Sequence, residues 1–168
     1  MSGPGVVVWL TGRPASGKST LAREVARALR GAIVLDGDEV REALRPEPGY
    51  DEAARDAFYE TLARLAALLA RQGHAVNVPA TAPRRAFRER ARALAPAFVE
   101  VFVDTPVEEC ARRDPKGLYA RAARDPELTL PGVNAPFEAP DDADVVVRPG
   151  DDRLEAIVTR ARRAGDPA

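Results

Sequence analysis

Apolar residues along the chain follow two rhythms. Short apolar-rich stretches at 5–11, 32–35, 74–78, 98–104 and 144–147 predict five strands, the first of them carried by Val6, Val7, Val8, Trp9 and Leu10. Between them the apolar positions space out to a helical period. Leu21, Val25 and Leu29 mark a helix over 17–30, with Arg23, Arg27 and Arg30 on its wet side and Gly31 as a stop. A short helix over 39–44 ends before Pro46, Pro48 and Gly49. The longest helix is predicted over 51–72, with Phe58, Leu62, Leu65 and Leu69 on one face and Gly73 closing it. After a loop with Pro79 and Pro83 comes an arginine-rich helix to about Leu94. Arg84, Arg85, Arg88, Arg90 and Arg92 surround it too widely to define one binding face and predict a solvated surface.

Thr105-Pro106-Val107-Glu108 has the form of a capping box with proline at the first helical position, so a further helix starts there. From about 112 to 140 the chain is polar, proline-bearing and poorly periodic, which suits a mobile cover or lid. A helix over 152–163 closes the chain. Strands alternating with helices predict an α/β fold over 1–168: one domain, three layers, a parallel five-stranded sheet, and ligands at the carboxyl ends of the strands.

The turn between the first strand and the first helix carries the sharpest signal. Gly12-Arg13-Pro14-Ala15-Ser16-Gly17-Lys18-Ser19-Thr20 fits the phosphate-loop pattern G-x-x-x-x-G-K-[ST] in its required strand, loop and helix setting. Glycines there let backbone amides converge on a phosphate, and the helix N-terminus favours the anion. Lys18 is expected to reach the β- and γ-phosphates of ATP, and the Ser19 hydroxyl to ligate Mg²⁺. Asp36-Gly37-Asp38 leaves the second strand near that loop. One carboxylate could take a proton from an acceptor hydroxyl while helping to hold hydrated Mg²⁺, with Asp38 joining Ser19 as the expected metal ligand; the plain alternative is a turn and a helix cap, which Asp38 fits well.

Composition narrows the class. A formal net charge of −1 argues against a nucleic-acid or anionic-membrane surface, and 45% hydrophobic residues suit a globular fold. Apolar runs fall short of the roughly 20 residues of a membrane span, and residues 1–5 lack the basic and apolar parts of a signal peptide, so a cytoplasmic address is expected. Cys110 is the only cysteine and is expected to be an inert packing residue. Among 25 basic residues only Lys18 and Lys116 are lysines, and this singles out Lys116 as a second candidate for work on phosphate.

Several segments, in order and over most of the chain, resemble the adenylylsulfate kinases. They are Trp9-Leu10-Thr11-Gly12 into the phosphate loop, Leu35-Asp36-Gly37-Asp38-Glu39-Val40-Arg41, Val103-Asp104-Thr105-Pro106, Asp114-Pro115-Lys116-Gly117-Leu118-Tyr119 and Phe137-Glu138-Ala139-Pro140. The resemblance implies transfer of the ATP γ-phosphate to the 3′-hydroxyl of adenosine 5′-phosphosulfate. It puts Lys116 in a lid near the reacting phosphates, makes Arg41 and Arg55 contacts of the sulfonucleotide, and sets Tyr50 where the family usually has a Phe beside the adenine. It leaves a homodimer open. Three positions depart from the family: Phe58 replaces a substrate-contacting Asn, Ala82 replaces a Ser, and Leu130 lies where an aromatic residue commonly stacks on the acceptor adenine. These departures keep two alternatives in view, a kinase for another small hydroxyl acceptor and a nucleotide-binding module without turnover.

Overall fold

A computed structural model describes residues 5–166. Residues 1–4 and 167–168, and with them most of the stretch behind the signal-peptide expectation, lie outside the described residues. Within these bounds the chain forms β1 (Val7–Thr11), α1 (Lys18–Ala28), β2 (Ile33–Val34), α2 (Gly37–Ala43), α3 (Glu52–Arg71), β3 (Val76–Pro79), α4 (Arg85–Leu94), β4 (Phe98–Val103), α5 (Val107–Arg113), α6 (Leu118–Arg124), β5 (Val145–Val147) and α7 (Leu154–Gly165). The strands lie in the order β2-β3-β1-β4-β5, and every pairing is parallel.

β1 occupies the centre, which is why it reads as a continuous apolar run: a strand covered on both faces has no wet side on which to place polar residues. Its side chains alternate between two cores. Val7 and Trp9 face the layer of α3 and α4, packing with Phe58, Leu62, Ala66, Val76 and Phe87. Val8 and Leu10 face the layer of α1 and α7, packing with Ala22, Val25, Val101, Ile157 and Ala161. The expected three-layer parallel α/β architecture is the observed one.

Three local expectations are corrected. The buried face of α3 consists of Phe58, Leu62, Ala63, Ala66, Ala67 and Ala70, while Leu65 and Leu69 are only partly covered; alanines let the long helix lie close to the sheet and push the leucines to the margin. Arg88, expected on a solvated surface, is 2% exposed. Its Nη1 donates to the Ala82 carbonyl (2.6 Å), its Nη2 to the Glu138 carbonyl (2.6 Å), and its Nε lies 3.7 Å from the Glu100 carboxylate. Burial pushes the Arg88 guanidinium down and the Glu100 carboxyl up, and each charge offsets the other's cost. The neighbouring Arg84, Arg85, Arg90 and Arg92 do lie at the surface, held in ion pairs with Glu52, Asp141, Asp56 and Asp144.

The capping box at Thr105 does not form. The N-cap of α5 is Pro106, and the Thr105 hydroxyl instead donates to the Ser16 carbonyl at 2.8 Å, tying the end of β4 to the loop after β1. Finally, the polar stretch from 112 to 140 contains α6, a helix with no buried residue. The Asp114 carboxylate accepts from the first amides of α6, at Tyr119 (3.1 Å) and Ala120 (3.0 Å), so a local cap stands in for an apolar face.

Candidate active site

The loops that follow β1, β2, β3 and β4 converge at the carboxyl ends of these strands, where parallel α/β sheets bind ligands. After β1, residue 12 must be glycine: a Cβ there would lie 2.6 Å from the Val103 carbonyl and 2.7 Å from Ser16 Oγ. Gly17 adopts φ 102° and turns the chain into α1, whose first turn carries no acidic residue. The amides of Lys18, Ser19 and Thr20 therefore open a helix N-terminus onto the cavity, an arrangement suited to a phosphate chain.

The Lys18 ammonium folds over the loop. Its Nζ donates to the carbonyls of Gly12 (2.9 Å) and Arg13 (2.7 Å) and lies 3.4 Å from Ser16 Oγ. Burial lowers its pKa from 10.5 to about 8, with Asp38 and Asp36 among the groups that push it back up. The second phosphate-loop cation behaves differently: the Arg13 side chain points away from the cavity and lies over the Phe137 ring, 5.4 Å from its centroid.

Asp36, rather than Asp38, caps α2. Its Oδ1 accepts from the Asp38 amide (3.0 Å) and its Oδ2 from Ser19 Oγ (2.6 Å). The plain alternative, a cap at Asp38, does not form: that carboxylate pairs with Lys116 across the cavity. That hydrogen bond holds the Lys116 pKa above its usual value. The carboxylate beside the Ser19 hydroxyl is that of Asp36 and not the expected Asp38; together they offer two hard oxygen donors at the helix N-terminus, a donor set that suits Mg²⁺.

The acceptor half lies across the same cavity, which has a volume of about 960 Å³ and runs from residues 14–20 to Arg41, Tyr50, Arg55 and Phe58. Arg41 is 9% exposed and belongs to no ion pair among the described residues. Its Nη1 donates to the carbonyls of Pro48 and Gly49, each at 3.0 Å, and its guanidinium carbon sits 4.1 Å from the Phe58 centroid and 4.5 Å from that of Tyr50. Arg55 Nη2 donates to Thr129 Oγ1 at 2.8 Å. Ala82 is fully buried; its amide donates to Tyr59 Oη (3.1 Å) and its carbonyl accepts from Arg88. Leu130 is 4% exposed and lines the cavity wall; its amide donates to Asn134 Oδ1 (2.6 Å).

The segment from 112 to 140 lies over both halves. Besides the Lys116–Asp38 pair, Tyr119 Oη donates to the Pro14 carbonyl at 2.7 Å. Burial raises the pKa of this phenol, which stays a neutral donor. At the far end of the segment, the Glu138 amide donates to the Pro83 carbonyl (2.8 Å), and the Glu138 carboxylate accepts from the Arg85 amide (2.6 Å). Cys110 is buried beneath, its Sγ 3.6 Å from the Thr105 carbonyl, and burial raises its pKa as expected of a packing thiol. Sequence reasoning did not single out Tyr119, Thr105 or Arg88 as parts of this assembly. Tyr119 and Thr105 both lie in motifs that carry the family resemblance, but their partners Pro14 and Ser16 are distant in sequence, as is the Glu138 partner of Arg88.

The comparisons agree with this arrangement. The sequence profile of the family described as Adenylylsulphate kinase matches residues 4–148. An adenylyl-sulfate kinase of Paraburkholderia xenovorans is 41% identical over 174 residues, covering 96% of this chain and 97% of its own. The bifunctional enzyme NodQ of Azospirillum brasilense is 42% identical over 169 residues, or 95% of this chain, but the chain spans only 27% of that protein. Among solved structures, the Mycobacterium tuberculosis APS kinase CysC in complex with AMPPNP and APS superposes with a TM-score of 0.80 at 38% identity, covering 96% of this chain and 95% of that one. With the matched profile spanning most of its length and a relative of equal size at this identity, the chain belongs to the adenylylsulfate kinase family.

Proposed function

We propose that the chain transfers the γ-phosphoryl group of ATP to the 3′-hydroxyl of adenosine 5′-phosphosulfate, giving ADP and 3′-phosphoadenosine 5′-phosphosulfate. The observation that carries this reading is the Arg41 guanidinium: nearly buried, without a carboxylate partner among the described residues, and lining one cavity with the phosphate loop. A cation in that position is costly unless an anion meets it, and the acceptor's phosphosulfate is such an anion.

In this reading the residues divide the work as follows. The backbone of Gly12, Arg13, Pro14, Ala15, Ser16 and Gly17 and the first amides of α1 cradle the polyphosphate, and Lys18 moves from the loop carbonyls onto it. Ser19 and Asp36 would hold Mg²⁺, which when bound neutralises charge on the β- and γ-phosphates. Asp38 accepts the proton of the attacking hydroxyl, and Lys116, already beside it, balances charge on the moving phosphoryl group. Arg41, Arg55 and Tyr50 seat the acceptor. Residues 1–168 act as one kinase domain, with 112–140 as the lid. A cytoplasmic address fits a consumer of ATP, and no described helix is long and apolar enough to cross a membrane.

The test is product analysis. Incubation with ATP, Mg²⁺ and adenylylsulfate is expected to yield equal amounts of ADP and a nucleotide phosphorylated at the 3′-oxygen, identified by phosphorus NMR. ADP release without a phosphorylated nucleotide, or phosphorylation only of a different alcohol from a mixed panel, would overturn the assignment.

A further inference from the structure

Phe58 is the family position at which this chain gives up a hydrogen-bonding amide, and its surroundings reveal what the ring does instead. It lies on α3, is 4% exposed, and is locked in the core by an edge-on contact with Tyr59 (5.5 Å between centroids), which itself stacks on Phe87 at 4.6 Å. One face of this fixed ring carries the Arg41 guanidinium at 4.1 Å. The guanidinium also meets the Tyr50 ring at 4.5 Å, and Tyr50 is 64% exposed and so is the looser of the two rings. Two carbonyls, from Pro48 and Gly49, occupy Nη1. No hydrogen bond within the described residues uses the other guanidinium nitrogens, although a guanidinium has five N–H donors.

On these observations, and resting on the reading of the site as an adenylylsulfate kinase, we infer that Phe58 is a positioning residue. Its ring fixes the plane of Arg41 by a cation–π contact, so that the free edge of the guanidinium presents a pair of N–H donors to the acceptor's anionic group. Recognition passes from an amide touching the acceptor to an arginine oriented by a ring. The chain should accordingly select acceptors by the charge of their phosphosulfate or phosphate and tolerate changes at groups an amide would have hydrogen-bonded.

The ring acts through Arg41 and not through the reacting atoms, which separates this role from catalysis and from plain packing. Phe58→Leu keeps an apolar side chain and removes the π face, and Phe58→Tyr restores it. Dissociation constants for adenylylsulfate, measured by calorimetry in the presence of ADP, are expected to rise roughly five- to thirtyfold in Phe58→Leu and to stay within about twofold of wild type in Phe58→Tyr. In steady state the change should appear in the KM for adenylylsulfate, with kcat and the KM for ATP held. In an Arg41→Ala background, Phe58→Leu should add little, because its effect runs through the missing guanidinium. Wild-type binding of adenylylsulfate together with equal binding by Phe58→Leu, whatever its melting temperature, would overturn the role of Phe58 alone. A wild type that fails to bind adenylylsulfate would overturn the functional reading and this one together.

Discussion

The two halves of the cavity are built on opposite plans. The phosphate side is contiguous: residues 12–20 form one loop and one helix start, and most of its groups are backbone atoms whose positions follow from two glycines and the N-terminus of α1. The acceptor side is assembled from α2, α3, the loop after β3 and the segment 112–140, and its working groups are side chains held by other side chains. A half made of backbone tolerates little variation in its few side chains and much elsewhere. A half made of side chains can exchange one supporting contact for another, which is what Phe58, Ala82 and Leu130 represent.

The sharpest way to break the phosphate half is Lys18→Ala. Lys18 acts on charge and sits desolvated on loop carbonyls, so kcat should fall by about 10³-fold or more while the melting temperature holds or rises slightly. A folded Lys18→Ala protein with near-normal kcat would refute the kinase assignment.

On the acceptor side the corresponding lesion is Arg88→Met, which strands the Glu100 carboxylate at 7% exposure and leaves the Ala82 and Glu138 carbonyls without donors. A stability loss of about 3 kcal/mol is expected in urea unfolding, most of it recovered by adding Glu100→Leu. An unaltered urea midpoint for Arg88→Met would mean that the buried pair does not hold the acceptor wall.

Between the halves, the two carboxylates separate by substitution. Asp38→Asn should lower kcat about 10²-fold with little change in melting temperature, because Asp38 is paired with Lys116 and is not the cap of α2. Asp36→Ala should lower both, costing about 1 kcal/mol as a lost cap. A collapse of stability in Asp38→Asn with normal turnover of the folded fraction would reverse the two roles.

The smallest effect is a pH dependence confined to the phosphate half. With the Lys18 pKa lowered to about 8 in the ligand-free protein, polyphosphate binding must restore the ammonium and take up a proton above that pH. The KM for ATP should therefore climb by up to about tenfold per unit as pH rises past 8. The unfolded chain, with the pKa at 10.5, holds more protons than the folded one between about 8 and 10.5, so Lys18 makes the ligand-free protein more stable, not less, as pH rises through that window. Absence of these opposed trends in wild type, judged against Lys18→Ala, would show that Lys18 is not the desolvated cation.

The same contrast governs what the sequence could reveal. Strand β1, the phosphate loop and α1 are legible because their determinants are local: an apolar run, two glycines and a helical repeat within 25 residues of one another, roughly one strand and one helix. Arg88 was misread because its partners, Ala82, Glu138 and Glu100, come from two loops and a strand; nothing in the neighbouring arginines marks the one that turns inward. The capping box at Thr105 failed because α5 starts one residue later, with Pro106 at its N-cap, while the Thr105 hydroxyl donates to the Ser16 carbonyl of a loop far away in sequence. Helix α6 has no apolar face for a periodicity search to find. Phe58 reads in sequence as one more member of an apolar stripe and as the loss of an amide; that its ring carries Arg41 depends on α2 and α3 meeting in space.

The central claim is that the rebuilt acceptor half still serves adenylylsulfate, and the measurement that tests it most directly is kcat/KM of the wild-type protein for that acceptor at saturating ATP and Mg²⁺. The account predicts a value within the ordinary enzyme range of about 10⁴–10⁸ M⁻¹s⁻¹, with no gain from Phe58→Asn combined with Ala82→Ser. Feeble turnover despite normal ATP binding, raised by those two substitutions, would contradict it and point to a different hydroxyl acceptor.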